Sequence, residues 1–177
     1  MTLITIALVL LAVVVALNIT LTVGIVRRLR EHSAQLKDLR NPDAVMAAPD
    51  TVTGEFSAET VEGERLSESD WQGLTLVGFL SPTCTACHER LPGFLEQARR
   101  MPGGRRQVLA VVVGEEGTAE QVAQVTPVAR TVVEAPDGPL AKAFSVRGFP
   151  AFAIVDDSRR ILASGYDLDQ VPFPVAG

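Results

Sequence analysis

A chain of 177 residues that is 47% hydrophobic and 5% aromatic is neither disordered nor collagen-like. Its net charge of −5 divides unevenly: residues 1–40 carry five basic and two acidic side chains, residues 41–177 carry 11 and 19. The acidic body argues against a nucleic-acid partner, because affinity for phosphate backbones comes largely from Lys and Arg, and two cysteines exclude both a disulfide-dense scaffold and a four-cysteine zinc site.

No ionisable side chain occurs between Met1 and Val26. As a helix that run is ~39 Å long, against ~30 Å for the hydrocarbon core of a bilayer. It lacks the positive n-region, short apolar core and small-residue cleavage pattern of a secretory signal. Residues 1–26 are therefore expected to form an uncleaved, single-pass transmembrane anchor in the lipid bilayer. Residues 27–54 read as a basic helix and linker. Leu29, Leu36 and Leu39 lie on roughly one face among Arg27, Arg28, Arg30, Lys37 and Arg40, with His32 a solvated surface residue, and Pro42, Pro49 and Gly54 mark the linker. Residues 55–177 form the folded domain, ample for one core.

Within that domain Phe56–Thr60 reads as an edge strand, and Trp71 as a core residue ahead of the next one. Leu74–Leu80, Val108–Val113 and Ala151–Val155 are short continuous apolar runs bounded by Gly, Ser or Asp, the pattern of strands covered on both faces. Arg130–Glu134 is a weaker strand. Ile161–Tyr166 follows the turn Asp156-Asp157-Ser158-Arg159 and pairs antiparallel with the strand before it. Between strands, Leu91, Phe94, Leu95 and Ala98 recur at helical spacing. Thr118–Ala129 is a second helix that Pro127 must end or kink. Leu140–Val146 is a third, opened by the turn Pro136-Asp137-Gly138-Pro139. The order predicts an α/β sheet flanked by helices, its last strand antiparallel.

The most informative residues are Cys84-Thr85-Ala86-Cys87. Cys84 follows the strand Leu74–Leu80 after only Ser81-Pro82-Thr83 and opens a helix. The unpaired N–H groups and positive dipole end of a helix stabilise an anion, and the thiolate is the reactive form of cysteine. Two intervening residues put the second sulfur one turn away, within disulfide reach of the first. Cys84 is then the exposed nucleophile and Cys87 the resolving thiol.

With these features the chain resembles the thioredoxin superfamily. A strand feeds directly into C-x-x-C, and Pro92 lies five residues after the second cysteine. Phe144-Ser145-Val146-Arg147-Gly148-Phe149-Pro150, followed by an apolar strand, is similar to the family segment that holds the cis-proline. The resemblance implies a cis Phe149–Pro150 bond packed beside the disulfide, with Phe149 and Pro150 binding substrate. The N-terminal anchor, the linker and the 66 residues between Cys84 and Pro150, with Val112-Val113-Gly114-Glu115 inside them, look like the membrane-tethered TlpA-type thiol–disulfide oxidoreductases. Ser81-Pro82-Thr83-Cys84 and the basic stretch also look like the accessory protein of methylamine utilisation. The family's pattern is broken in places. Gly78 stands where many thioredoxins hold a buried acid, Arg90 where many TlpA-type relatives have Glu, and Thr83 where a Trp is common. The family's C-terminal helix has no counterpart in Asp169–Gly177, which holds Pro172 and Pro174.

Other readings use the same residues. Cys84-Thr85-Ala86-Cys87-His88 fits the c-type haem attachment pattern, with His88 as the iron ligand. Ser81-x-x-Cys84 is similar to the peroxidatic spacing of thiol peroxidases. Two thiolates suit a copper or zinc carrier, and a redox-silent anchored binding module is the plainest alternative. The resemblance implies a protein-disulfide oxidoreductase, reducing in preference to oxidising, with no cofactor and no metal. Its partners would be disulfide- or thiol-containing client proteins and, if the domain is exported, a membrane electron donor. The five basic residues after the span, with none before it, place the domain in the cytoplasm by the positive-inside rule. The expectation is nonetheless an extracytoplasmic domain, where client disulfides persist.

Overall fold

The computed structural model describes residues 44–171. The expected span over 1–26 and the basic helix that follows it lie outside the described residues, as does the tail from 172. Among the described residues no helix is long and apolar enough to cross a membrane.

The chain first forms a hairpin of β1 (Ser57–Glu59) and β2 (Arg65–Ser67). The expected edge strand at 56–60 is thus present, but its partner is β2, a three-residue strand without a hydrophobic pattern, and not the main sheet. There follow β3 (Thr75–Leu80), α1 (Thr85–Arg100), β4 (Val108–Val113), α2 (Ala119–Val125), β5 (Arg130–Glu134), α3 (Pro139–Ala143), β6 (Ala151–Val155) and β7 (Ile161–Gly165). The main sheet has the order β5-β4-β3-β6-β7. Pro127 acts as expected: α2 stops at Val125, and the Thr126 hydroxyl donates back to the Val122 carbonyl at 2.7 Å.

One expectation needs correction. The sequence pattern made the last strand the antiparallel one, whereas β6 is the strand that opposes the others, antiparallel to both β3 and β7. The reason lies in the connection. With five residues, α3 rises only about 7.5 Å, less than half the length of a five-residue strand. The chain does not return to the far end of the sheet before β6 begins. Ala151 therefore pairs with Phe79, and Pro150 comes to rest beside the end of β3.

β3, β4 and β6 are buried along their whole length, which is why their sequences are unbroken apolar runs. On one face Leu76, Leu80, Val112 and Phe152 pack against Leu91, Phe94 and Ala98 of α1 and Val125 of α2. On the other, Val77, Phe79 and Val111 meet Leu140 of α3, Phe144 and Trp71. Trp71 is core, as expected, in edge and tilted contact with Phe144 and Phe56.

The stretch 44–54 differs from its reading as linker. Met46 is buried, the Ala47 N–H donates to the Phe144 carbonyl, and Gly54 N–H donates to that of Ala143. Composition alone misses this because the docking groups are backbone. On the α1 face, where no C-terminal helix was expected, a single turn at Leu168–Gln170 and the buried Val171 supply cover.

Candidate active site

β3 ends at Leu80, and three residues later Cys84 occupies the N-cap of α1 with extended backbone (φ −96°, ψ 112°). Its Sγ accepts the Cys87 N–H at 3.3 Å, a donor of the helix start that also reaches the Cys84 carbonyl at 3.1 Å. As a thiol the same Sγ donates to the Phe149 carbonyl at 3.4 Å. The Phe149–Pro150 bond is cis. The antiparallel register of β6 against β3 is what carries this bond to the tip of α1. The four residues singled out from sequence, Cys84, Cys87, Phe149 and Pro150, therefore come together from positions 65 residues apart.

Both cysteines are free thiols, and they differ in exposure: Cys84 is half-buried, Cys87 fully buried. The Ser81 N–H donates to Cys87 Sγ at 3.4 Å. Burial pushes the Cys87 thiol up to about 12, helped by its hydrogen bond with Cys84 and opposed by the Ser81 N–H and the Arg90 charge. Cys87 is thus a protonated thiol under the surface. Sequence reading missed Ser81 as a partner, since its contribution is a backbone donor that any residue type carries.

The departures from the family pattern have physical explanations. A side chain at Gly78 would collide with the Phe94 ring, since a Cβ there would lie 2.6 Å from Phe94 Cε2. The place of a buried acid is filled by an aromatic ring. Arg90 bonds Asp167 through Nε (3.1 Å) and a terminal nitrogen (3.0 Å) and lies over the Tyr166 ring, tying α1 to the C-terminal turn.

The rival readings fare differently. The His88 Nε2, which an iron would need, bonds the Pro82 carbonyl at 2.8 Å, and Cys87, which would carry a thioether, is fully buried. The Ser81 hydroxyl pairs with Thr83 at 3.3 Å rather than with the Cys84 sulfur, contrary to the peroxidatic arrangement. Among the described residues no three His, Cys, Asp or Glu side chains gather as metal ligands.

No protein-family model matches the sequence, and no curated relative does either. Solved structures do match. The thioredoxin domain of a thiol-disulfide oxidoreductase from Bacteroides vulgatus superposes with a TM-score of 0.57 at 16% identity, over 71% of this chain and 93% of that one. A thiol:disulfide interchange protein from a Bacteroides species gives 0.54 at 18%, over 68% and 82%. A hypothetical protein from Sinorhizobium meliloti gives 0.53 at 19%, over 73% and 78%. At these identities the likeness is one of fold, and the described domain has the thioredoxin fold.

Proposed function

We propose that this chain is a membrane-anchored thiol–disulfide oxidoreductase that exchanges disulfides with client proteins through Cys84 and Cys87. One observation carries the reading: a half-buried sulfur at the start of α1 lies between the Cys87 N–H and the Phe149 carbonyl beside a cis-proline, with a second, buried thiol three residues on. The thiol-disulfide oxidoreductases that share the fold add support.

In the reducing direction, the Cys84 thiolate attacks one sulfur of a client disulfide. A Cys84–client bond forms, the client S–S bond breaks, and one client thiolate leaves. Cys87 then gives up its proton, and the departing client sulfur is its acceptor, because Phe94 occupies the place of an internal acid. The Cys87 sulfur attacks Cys84, the mixed bond breaks, and the second client sulfur leaves as a thiolate, which takes up from solvent the proton that Cys84 gave up on ionising. The client gains two electrons and two protons, and the chain ends as the Cys84–Cys87 disulfide. The reverse sequence oxidises a client. The main-chain groups of Phe149 and Pro150 would align the client beside the reacting sulfur.

Residues 1–26 would anchor the chain, with 27–43 as tether and the domain on the extracytoplasmic side. A membrane-embedded electron donor would then restore the dithiol. The test is a Cys87→Ser variant of the full chain expressed in cells. It should accumulate mixed disulfides with clients that reductant releases and that Cys84→Ser abolishes. Adducts that persist without Cys84, or no adducts at all, would overturn the reading.

A further inference from the structure

A groove of about 430 Å³ runs between α1 and α2, and the mechanism above makes no use of it. Its lining includes Pro82 and His88, which flank the N-cap Cys84 in the chain, His88 in the first turn of α1. Along its side lie Leu91, Pro92 and Leu95. Across from them is Gln121, which is 5% exposed and has no hydrogen-bond partner on either its amide oxygen or its amide nitrogen. Leaving a buried amide orphaned is costly, and folded proteins rarely keep one without a use. Pro92, on the α1 side, has no N–H to offer the His88 carbonyl four residues earlier.

The groove therefore carries the unpaired donor and acceptor of one amide between apolar walls, and its shape is open rather than enclosed. An extended residue of a polypeptide presents its own N–H and C=O on the same side, the complement of a Gln amide, while its side chains alternate into the walls. No Lys or Arg lines the groove and Glu120 does, which disfavours an anionic occupant and favours a neutral or basic one. We propose that the α1–α2 groove binds an extended, neutral or basic segment of the client polypeptide flanking the cysteine that Cys84 attacks. This rests on the oxidoreductase reading for the identity of the client, while the binding itself does not depend on exchange.

Two arms of one experiment test it. In the first, full chain carrying Cys84→Ser, which cannot form the mixed disulfide, is titrated in detergent with fluorescent blocked nonapeptides centred on serine and flanked by either Lys or Glu. The Lys-flanked probe should bind more tightly. Gln121→Leu should weaken it about tenfold without lowering the melting temperature, since it deletes an unpaired amide. The exposed Glu120→Lys, which leaves the core untouched, should reverse the order of the two probes. Affinities that neither variant moves, a Lys probe that binds no better than the Glu probe, or a melting temperature that falls with Gln121→Leu would overturn the proposal. In the second arm, the same peptides with a central disulfide are compared with a small aromatic disulfide as substrates of the wild-type dithiol. Gln121→Leu should lower the ratio of the two kcat/KM values about tenfold. A wild type that binds as expected but reduces neither substrate would refute the oxidoreductase reading and leave the groove assignment standing.

Discussion

Cys87 lies beneath the surface with its sulfur closed off from solvent, and this has a consequence for stability as well as for exchange. Burial moves its thiol from 9.0 up to about 12 in the folded dithiol state. Below pH 9 both the folded and the unfolded chain hold the proton, and the stabilisation from burying a neutral thiol is complete. Above it the unfolded chain has released the proton and the folded chain has not. That contribution then declines by about 1.4 kcal/mol per pH unit and is gone once the pH passes the folded value. The expected outcome is specific to Cys87. The difference in urea unfolding free energy between the fully reduced chain and its Cys87→Ala variant should shrink steadily as pH rises through the alkaline range. A difference that stays level with pH would mean that this sulfur is not enclosed as described.

The packing of β3 against α1 turns on one contact. Gly78 faces Phe94, whose ring is fully buried and stacked on Phe152 at 5.8 Å. A methyl group at 78 would sit 2.6 Å from Phe94 Cε2 and 3.1 Å from two neighbouring ring atoms, and the stacked ring has nowhere to withdraw. Gly78→Ala should therefore destabilise the chain by roughly 1–3 kcal/mol, with Phe94→Leu recovering part of the loss in the double variant. Denaturant unfolding of the four chains of that cycle measures it. A single variant costing under about 0.5 kcal/mol would show that β3 and α1 are not in this contact. The same elements show what could be read from sequence. β3, β4 and β6 were legible because strands covered on both faces must be apolar throughout, and the tip of α1 was legible because C-x-x-C followed such a strand directly. β2, with the sequence Arg65-Leu66-Ser67, was not, since three residues hold no period and its pairing is backbone. The direction of β6 was not legible either, because it depends on how far α3 travels rather than on any residue of β6. Gln121 left only a faint signal, a polar residue four before the buried Val125 on the inward side of α2.

At the scale of the whole molecule, the described body begins at the loop that carries the cis bond. The Val45 carbonyl accepts N–H groups from Arg147 at 2.7 Å and Gly148 at 3.3 Å, and Phe149 follows directly. With a span over 1–26, residues 27–43 would be a tether of 17 residues. Fully extended they reach at most about 60 Å, so Cys84 would work on partners in or near the bilayer. Which side of it is a contest between two effects. Arg27, Arg28, Arg30, Lys37 and Arg40 all follow the span, and the positive-inside rule weighs that flank toward the cytoplasm. Against it stands the chemistry, because an exchange site is useful where client disulfides persist, and in the cytoplasm glutathione and thioredoxin systems keep thiols reduced. The proposed function requires the second effect to prevail. Because Cys87 is fully buried and Cys84 half-buried, a membrane-impermeant maleimide has one target in the native dithiol chain. After mild reduction, intact cells should show a single label per chain that Cys84→Ser removes. Labelling that appears only after the membrane is permeabilised would put the domain in the cytoplasm, and the exported-client reading would fall with it.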